Sequence, residues 1–240
     1  MHVSIVALLN VTDDEKAFQF LVINNKASKV SSDHIRALAL SYSQEQLRER
    51  LKSARLSLDP NLDFVGLVNT EDCSPFQGII SWPTNVEENR IVVPAAIETA
   101  INKIQLKRVK PLEGSDDILL EYFYAIWNTI KCEWQTIWNK ESRLLSKIGI
   151  VCMTEYITDA LVSSYDWGRL DISDPGEVAD NVKELLKYQE KDFWTVQWNT
   201  SSLDTKAGRD LIVDALVKIG RNMRGGDSWH EDISLVDLTE

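Results

Sequence analysis

The sequence predicts an α+β protein, with a small mixed sheet and helices in the first half and helices alone in the second half. Short apolar runs rich in β-branched residues, which are typical of strands, occur before residue 94. Beyond residue 115, apolar residues recur at steps of three and four, which is typical of helices. We therefore expect an α/β region over residues 1–110, a helical region over 111–225 and a polar C-terminal tail over 226–240.

The first region is predicted to open with a buried strand over residues 3–9, which form a short apolar run. The capping box of Thr12 and Glu15 predicts a helix after this strand, because each side chain satisfies an unpaired backbone donor at the helix start. Two more helix starts are expected, at Ser31 or Ser32 and at the capping box of residues 43–46.

Prolines and turn residues separate the later elements of the first region. Three short apolar runs after Pro60 are interpreted as strands, over 64–68, 77–82 and 90–93. Pro94 then suits the first position of a helix, where a missing N–H costs nothing. The segment 111–114 contains a proline and a glycine and marks the joint between the regions.

Four helices are expected in the second region. Ser115 supplies a cap for a long core helix whose apolar positions continue to Ile137. Apolar residues over 144–161 cover most of the helix circumference, as expected of a helix surrounded by others. The remaining two starts are Asp174–Pro175 and the segment after Ser201–Ser202. The polar tail after Gly226 is expected to be loose at its end.

The chain is acidic, with 26 Lys and Arg against 37 Asp and Glu in 240 residues and a formal net charge of −11. Its hydrophobic and charged fractions, 44% and 26%, are typical of a folded globular protein and exclude a disordered or fibrous one. Residues 1–110 carry 13 basic and 13 acidic groups, whereas residues 111–240 carry 13 and 24. Binding of this acidic chain to nucleic acid or to an anionic membrane would therefore require a local basic patch.

Residue patterns typical of catalytic and metal sites do not occur. Cys73, Cys132 and Cys152 form no CxxC pair, and we interpret them as buried thiols in a reducing cytosol. The sequence contains no HExxH, GxSxG or phosphate-binding glycine loop. We expect no signal peptide, because the first residues lack a basic segment and a small-residue cleavage site, and the sequence has no apolar stretch long enough for a membrane span. We therefore expect a cytoplasmic protein that is not an enzyme and has no metal, no cofactor and no membrane partner.

The first half offers a candidate basic surface, because four cations fall within two turns of one predicted helix and three more follow the helix that begins at Pro94. The candidate DNA-binding residues are Arg48, Arg50, Lys52, Arg55, Lys107, Arg108 and Lys110. In the competing interpretation, Glu45 and Glu49 pair with neighbouring cations and the patch is a solvated helix face.

The tryptophans fall into two groups. Trp127, Trp134 and Trp138 follow helical spacing, which favours core packing over a base-stacking platform. Trp82, Trp194 and Trp198 lie near turns and are candidates for lining a groove.

Residues 14–31, DEKAFQFLVINNKASKVS, resemble the segment "F…IN…K.VS" of DGQHR-domain proteins. These are relatives of the DNA phosphorothioation regulator DndB and, more distantly, of ParB-like domains. Compatible stretches at 74–80, 145–150, 192–194 and 205–209 extend the resemblance over most of the chain. The resemblance implies a polar site at the end of a helix, made of Asn24, Asn25, Lys26 and Lys29. On geometry alone, these residues fit a helix C-cap and turn equally well.

The Asp-Gly-Gln-His-Arg pentapeptide that names the family does not occur in this sequence. We expect either the downstream part of a longer or split protein or a member that has lost the motif. The resemblance implies a non-catalytic component of a prokaryotic DNA-modification, defence or regulatory system, which binds DNA or a partner protein. The alternatives are an acidic protein-interaction module without DNA binding, and a partial ParB-like nucleotide hydrolase that needs an upstream piece. The sequence does not decide whether the protein forms a homo-oligomer.

Overall fold

A computed structural model of the chain describes residues 11, 16, 62–82, 85–199 and 203–236. The chain divides into two compact units, Met1–Gly66 and Leu67–Glu240, and most of the described residues belong to the second unit. The predicted strand over 3–9 and the predicted helices between residues 12 and 55 lie outside the described residues, apart from the single helical residue Lys16.

The part of the chain that the structure describes is helical, and the predicted mixed sheet is wrong for it. The run 64–68 lies in a helix, α1 (Leu62–Thr70), rather than in a strand. A short apolar run fits a buried helical turn as well as a strand, so periodicity could not separate the two. The runs 77–82 and 90–93 meet through one isolated parallel bridge, between Ile80 and Val92, and form no sheet.

Six further helices follow α1 in the described part of the chain. They are α2 (Pro94–Gln105), α3 (Lys110–Glu113), α4 (Asp116–Glu133), α5 (Lys147–Asp166), α6 (Pro175–Leu186) and α7 (Lys206–Gly225). Short 3₁₀ turns occur at Glu87–Asn89, Gln135–Ile137, Arg143–Leu145 and Lys191–Trp194. The helices predicted after Pro94 and throughout the second region are confirmed, although the long core helix ends at Glu133 and Ile137 lies in a separate 3₁₀ turn.

Side-chain caps fix where the long helices begin, since each accepts a hydrogen bond from a backbone N–H that the helix leaves unpaired. Ser115 accepts from Ile118 N at the start of α4, as predicted. Asp174 accepts from the backbone of the first turn of α6, at the helix start predicted for Asp174–Pro175. Ser146 and Thr205 cap α5 and α7 in the same way.

Helix α5 is the central element of the second unit. It packs along α2 on one side and also contacts α6 and α7, while α4 packs against α6. Its buried residues cover most of the helix circumference, as the sequence predicted, and leave one more exposed stripe that contains Glu155, Asp159 and Ser163. They include two threonines, Thr154 and Thr158, that are fully buried. Burial of several faces of one helix means that α5 supplies contacts to most of the core.

Two aromatic clusters fill the core. In the first, Phe76 stacks within 5.8 Å of Phe123 and 5.3 Å of Trp127, measured between ring centroids. In the second, Phe193 lies 5.1 Å from the rings of both Trp194 and Trp198. The prediction that Trp82, Trp194 and Trp198 line a groove is wrong, because all three are buried. Core packing is confirmed for Trp127 and Trp134.

The segment before α2 is held on α4 by three polar side chains at helical spacing. The Tyr124 hydroxyl donates to Glu71 Oε2 at 2.6 Å, Asn128 Nδ2 donates to the Cys73 carbonyl at 2.9 Å, and Lys131 Nζ donates to the Pro75 carbonyl at 3.1 Å. These steps of four and three residues place the donors in one stripe along the helix. The segment therefore runs along α4 instead of pairing as a strand.

The C-terminal segment folds back after α7. Gly226 ends the helix in the left-handed conformation, at φ 82°, which a glycine adopts without steric cost. Val236 then bridges antiparallel to Trp198, and Ile233 and Leu235 are buried. The sequence predicted a polar tail here, but its apolar residues pack against the unit as far as Val236.

Candidate functional site

The structure describes only part of the predicted basic surface. The four cations of the predicted helix and the polar residues of the family segment lie outside the described residues: Arg48, Arg50, Lys52, Arg55, Asn24, Asn25, Lys26 and Lys29. These assignments stay predictions. Lys107, Arg108 and Lys110 lie in the turn between α2 and α3 and in the first position of α3.

Helix α5 neutralises one of the three described cations of the candidate DNA-binding set. Lys107 Nζ forms an ion pair with Asp159, and one turn earlier Lys103 Nζ lies 2.7 Å from Glu155 Oε1. Lys103 lies in the last turn of α2 and Lys107 in the turn that follows, while Glu155 and Asp159 are one turn apart on α5, so both pairs follow from the close packing of α2 on α5. A lysine that is already paired contributes less to binding a phosphate.

Arg108 and Lys110 are exposed and pair with no described carboxylate. Arg108 has a φ of 54°, a left-handed conformation that is uncommon for a residue with a side chain. Val109 is buried beside it and anchors the turn. The structure therefore presents two of the predicted cations to solvent and ties the third to the helix behind it.

The three cysteines differ in exposure, which corrects the prediction that all are buried. Cys73 and Cys132 are exposed, and only Cys152 is buried. Burial raises the pKa of the Cys152 thiol to about 12, with a further contribution from the nearby Glu155 carboxylate. A thiol that stays protonated at neutral pH is a poor nucleophile. Cys152 is thus a core residue.

The described residues contain neither a membrane-spanning helix nor a cluster of metal ligands. None of their helices is long and apolar enough to cross a membrane. No group of three or more histidine, cysteine or acidic side chains among them is arranged to hold a metal ion.

The turn between α5 and α6 presents a tryptophan to solvent. Helix α5 ends at Asp166, and the side chain of the next residue, Trp167, is 74% exposed. Gly168 follows at φ 64° and reverses the chain. Leu170 and Ile172 then return to the core, with 5% and 1% exposure. The apolar anchors of the turn are therefore the later residues, and Trp167 is left outside.

A shallow cleft of about 480 Å³ opens beside this turn, lined by Tyr165, Gly168, Arg169, Leu170, Asp171 and Glu177. We call it the α5–α6 cleft. Hydrogen bonds fix both of its carboxylates: Glu177 Oε2 accepts from Asp171 N at 2.7 Å, and Asp171 Oδ1 accepts from Ser173 N and Ser173 Oγ at 3.0 and 2.6 Å. The bonds from Ser173 lower the pKa of Asp171, so this carboxylate is ionised at neutral pH.

Negative charge dominates the surroundings of the α5–α6 cleft. Asp166 and Asp174, which lie close to lining residues in the chain, are exposed in addition to the two lining carboxylates. The guanidinium of Arg169 is the one cation in the lining, and it lies 5.9 Å from the Trp167 ring centroid. Sequence reasoning missed this site, although a tryptophan directly before a glycine at a helix end is a signal that could have pointed to it.

Comparison with protein-family models, with curated proteins and with solved structures finds no match to this chain.

Proposed function

We propose that this chain is a non-catalytic protein-interaction component whose acidic second region binds a basic partner protein. The observation that carries the proposal is the surface of the second unit, where exposed carboxylates line the α5–α6 cleft and the exposed Trp167 adjoins it in the chain. Lys107, a cation predicted for DNA binding, is meanwhile paired with a carboxylate. Complementary charge speeds association with a basic partner and disfavours polyanions.

The charge distribution of the sequence supports the same proposal. Residues 111–240 hold all of the net charge, with 13 basic and 24 acidic groups, so this region repels DNA phosphates and attracts cationic segments. The resemblance of residues 14–31 to DGQHR-domain proteins is the reason to propose a partner from a DNA-modification or defence system. That context is part of the proposal.

A comparison of two probes by isothermal titration calorimetry tests the proposed function. The probes are a short peptide of alternating arginine and glycine and a short duplex DNA, each titrated into the full chain at several salt concentrations. We expect the peptide to bind, with an affinity that falls as salt screens the charges, and the DNA not to bind. Absence of peptide binding at low salt contradicts the proposal.

DNA binding is a second candidate, which the exposure of Arg108 and Lys110 favours. It predicts that log K for duplex DNA falls linearly with log salt concentration, and that the slope decreases by about 1 for each contacting cation that is neutralised. Arg108→Gln and Lys110→Gln test this directly, with Lys218→Gln on α7 as a control exposed lysine. A slope that neither variant changes removes these two residues from any DNA surface.

A further inference from the structure

We propose that the α5–α6 cleft and the adjoining Trp167 form the docking site for an arginine-bearing segment of the partner protein, with the incoming guanidinium stacked on Trp167 and paired with Asp171 and Glu177. This inference rests on the proposed function, because it names the part of the acidic unit that a basic partner contacts.

Trp167 is the first reason to locate the contact here. Its side chain is 74% exposed, more than any other large hydrophobic side chain among the described residues. Water contact with so large an apolar ring is unfavourable, and tryptophan and arginine are the residue types most enriched at interface hot spots. Leu170 and Ile172 are the buried apolar residues of the turn, whereas Trp167 buries only a small part of its side chain in the unit.

Charge then selects the occupant. Asp166, Asp171, Asp174 and Glu177 are all exposed around the turn. A second copy of this chain would bring the same acids to the interface, and an anionic membrane surface would be repelled by them. A cationic peptide segment is the occupant that both the carboxylates and the indole ring attract.

Two features favour arginine over lysine. A guanidinium is planar, so it can stack on an indole ring and still donate two parallel hydrogen bonds to a carboxylate, whereas an ammonium group acts as a point charge. Among the described residues, the Arg143 guanidinium lies 5.1 Å from the Trp198 ring centroid, whereas the Lys131 ammonium lies farther from its ring, 5.6 Å from the Trp138 centroid. The contact between Arg169 and Trp167 is longer, 5.9 Å, and leaves most of the Trp167 ring exposed.

The carboxylates are oriented before any partner arrives. One oxygen of each is held by the hydrogen bonds within the turn, namely Glu177 Oε2 and Asp171 Oδ1. The second oxygens, Glu177 Oε1 and Asp171 Oδ2, accept no hydrogen bond from the described residues. A site whose acceptors are already fixed loses less conformational entropy on binding.

The test uses the full chain and the same short arginine–glycine peptide, with lysine–glycine and glutamate–glycine peptides of equal length. Calorimetry gives the affinity of each peptide for the wild type and for Trp167→Ala, Asp171→Asn and Glu177→Gln. The two amide variants keep an acceptor for the hydrogen bonds within the turn. Asp210→Asn and Leu211→Ala on α7 are the matched controls, because they change an exposed acid and an exposed apolar residue elsewhere.

We expect the arginine peptide to bind more tightly than the lysine peptide, and the glutamate peptide not to bind. Trp167→Ala and Glu177→Gln should each weaken binding of the arginine peptide by about tenfold, and the controls by less than about twofold. In a two-dimensional NMR spectrum, the indole Nε1–H of Trp167 should shift on titration, which reports contact at the ring independently of any variant.

Equal losses in the cleft variants and the α7 variants would overturn the docking site and leave the proposed function standing, because the peptide would then be bound by charge alone. No binding of either basic peptide would overturn both. A Trp167 resonance that does not move while the peptide binds would also overturn the docking site. Unchanged circular dichroism of the variants would establish that they are folded.

Discussion

The indole Nε1–H of Trp127 in α4 donates a hydrogen bond of 3.0 Å to the hydroxyl of Thr154 in α5, and both side chains are fully buried. This is a polar link inside an otherwise aromatic and aliphatic core. The indole has one N–H and no alternative donor, so its partner determines whether the group is satisfied.

Replacing Thr154 by valine should destabilise the protein by about 1–3 kcal/mol, because it keeps the shape of the side chain but leaves the buried Trp127 N–H without an acceptor. Urea unfolding followed by circular dichroism measures the change. Thr154→Ser keeps the hydroxyl and therefore the hydrogen bond. The decrease in unfolding free energy of this variant should reflect only the missing methyl group. If the valine variant is as stable as the wild type, the hydrogen bond is not important for stability.

Gly149 and Gly208 should not tolerate alanine. Each lies at the third position of a capped helix, where the preceding chain crosses closely over the first turn. A Cβ at Gly149 would lie 2.5 Å from the Leu144 carbonyl oxygen, and one at Gly208 would lie 2.5 Å from the Leu203 carbonyl oxygen. Because the opposing atoms belong to the backbone, we expect each substitution to cost about 3 kcal/mol in unfolding free energy.

Gly114→Ala is the control for these two variants. A Cβ there would be 3.5 Å from its nearest neighbour, the Lys110 carbonyl oxygen, which is an ordinary contact. The residue has an αR conformation that alanine adopts readily. Its unfolding free energy should therefore change by less than about 1 kcal/mol. Comparable losses in all three variants would show that backbone approach is not the cause.

The reactivity of the thiols should separate Cys152 from the other two cysteines. In the native protein, a disulfide reagent such as Ellman's should titrate Cys73 and Cys132, which are exposed, and should reach Cys152 only after unfolding. Absorbance before and after adding denaturant gives the stoichiometry. Modification of all three thiols in the native protein would contradict the burial of Cys152.

Stability should fall at alkaline pH because of the same cysteine. Its pKa is raised from 9.0 to about 12 on folding, so the folded state keeps a proton that the unfolded state releases. The contribution is fully present below about pH 9 and is lost as the pH rises toward 12, by up to about 1.4 kcal/mol per pH unit. Unfolding of Cys152→Ala between pH 8 and pH 10 should show a shallower decline, and an equal decline would contradict this assignment.

At acidic pH, Asp204 should contribute in the opposite direction. The Lys147 ammonium, and then the Arg209 guanidinium, lower the pKa of this carboxyl below 3.8, so its stabilising effect is present above that pH and is lost as the pH falls through the folded pKa. The side chain is half exposed, so Asp204→Asn should cost less than about 1 kcal/mol at pH 7. Urea unfolding at low and high salt should show the difference shrinking with salt; a salt-independent cost would point to a different cause.

Local signals in the sequence were sufficient for the helices of the second region. The hydroxyl of Ser115 and the carboxylate of Asp174 each satisfy backbone donors within the next three residues, so their effect is independent of the rest of the fold. The same holds for Pro94, which begins α2. Helix periodicity of apolar residues also predicted the enclosed position of α5.

Long-range packing determines the two features that the sequence pattern did not predict, namely the helical structure of residues 64–68 and the exposure of the tryptophans near turns. The run 64–68 is helical although its pattern predicted a strand. A short apolar run is compatible with either structure, and contacts with the rest of the fold select one of them. Trp194 and Trp167 both lie next to turns, yet Trp194 is fully buried and Trp167 is 74% exposed. Exposure of a turn residue depends on where the two flanking helices lead the chain, and single-sequence patterns do not contain that information.

Because three other helices pack against α5, hydrogen exchange at its central amides depends on the opening of the second unit. Solvent reaches the backbone amides near Val151 and Ile157 only when several neighbouring helices separate together. Deuterium uptake at these amides should therefore report the free energy of opening the entire second unit. Uptake at the exposed end of α5, near Trp167, should occur through fraying alone and many orders of magnitude faster.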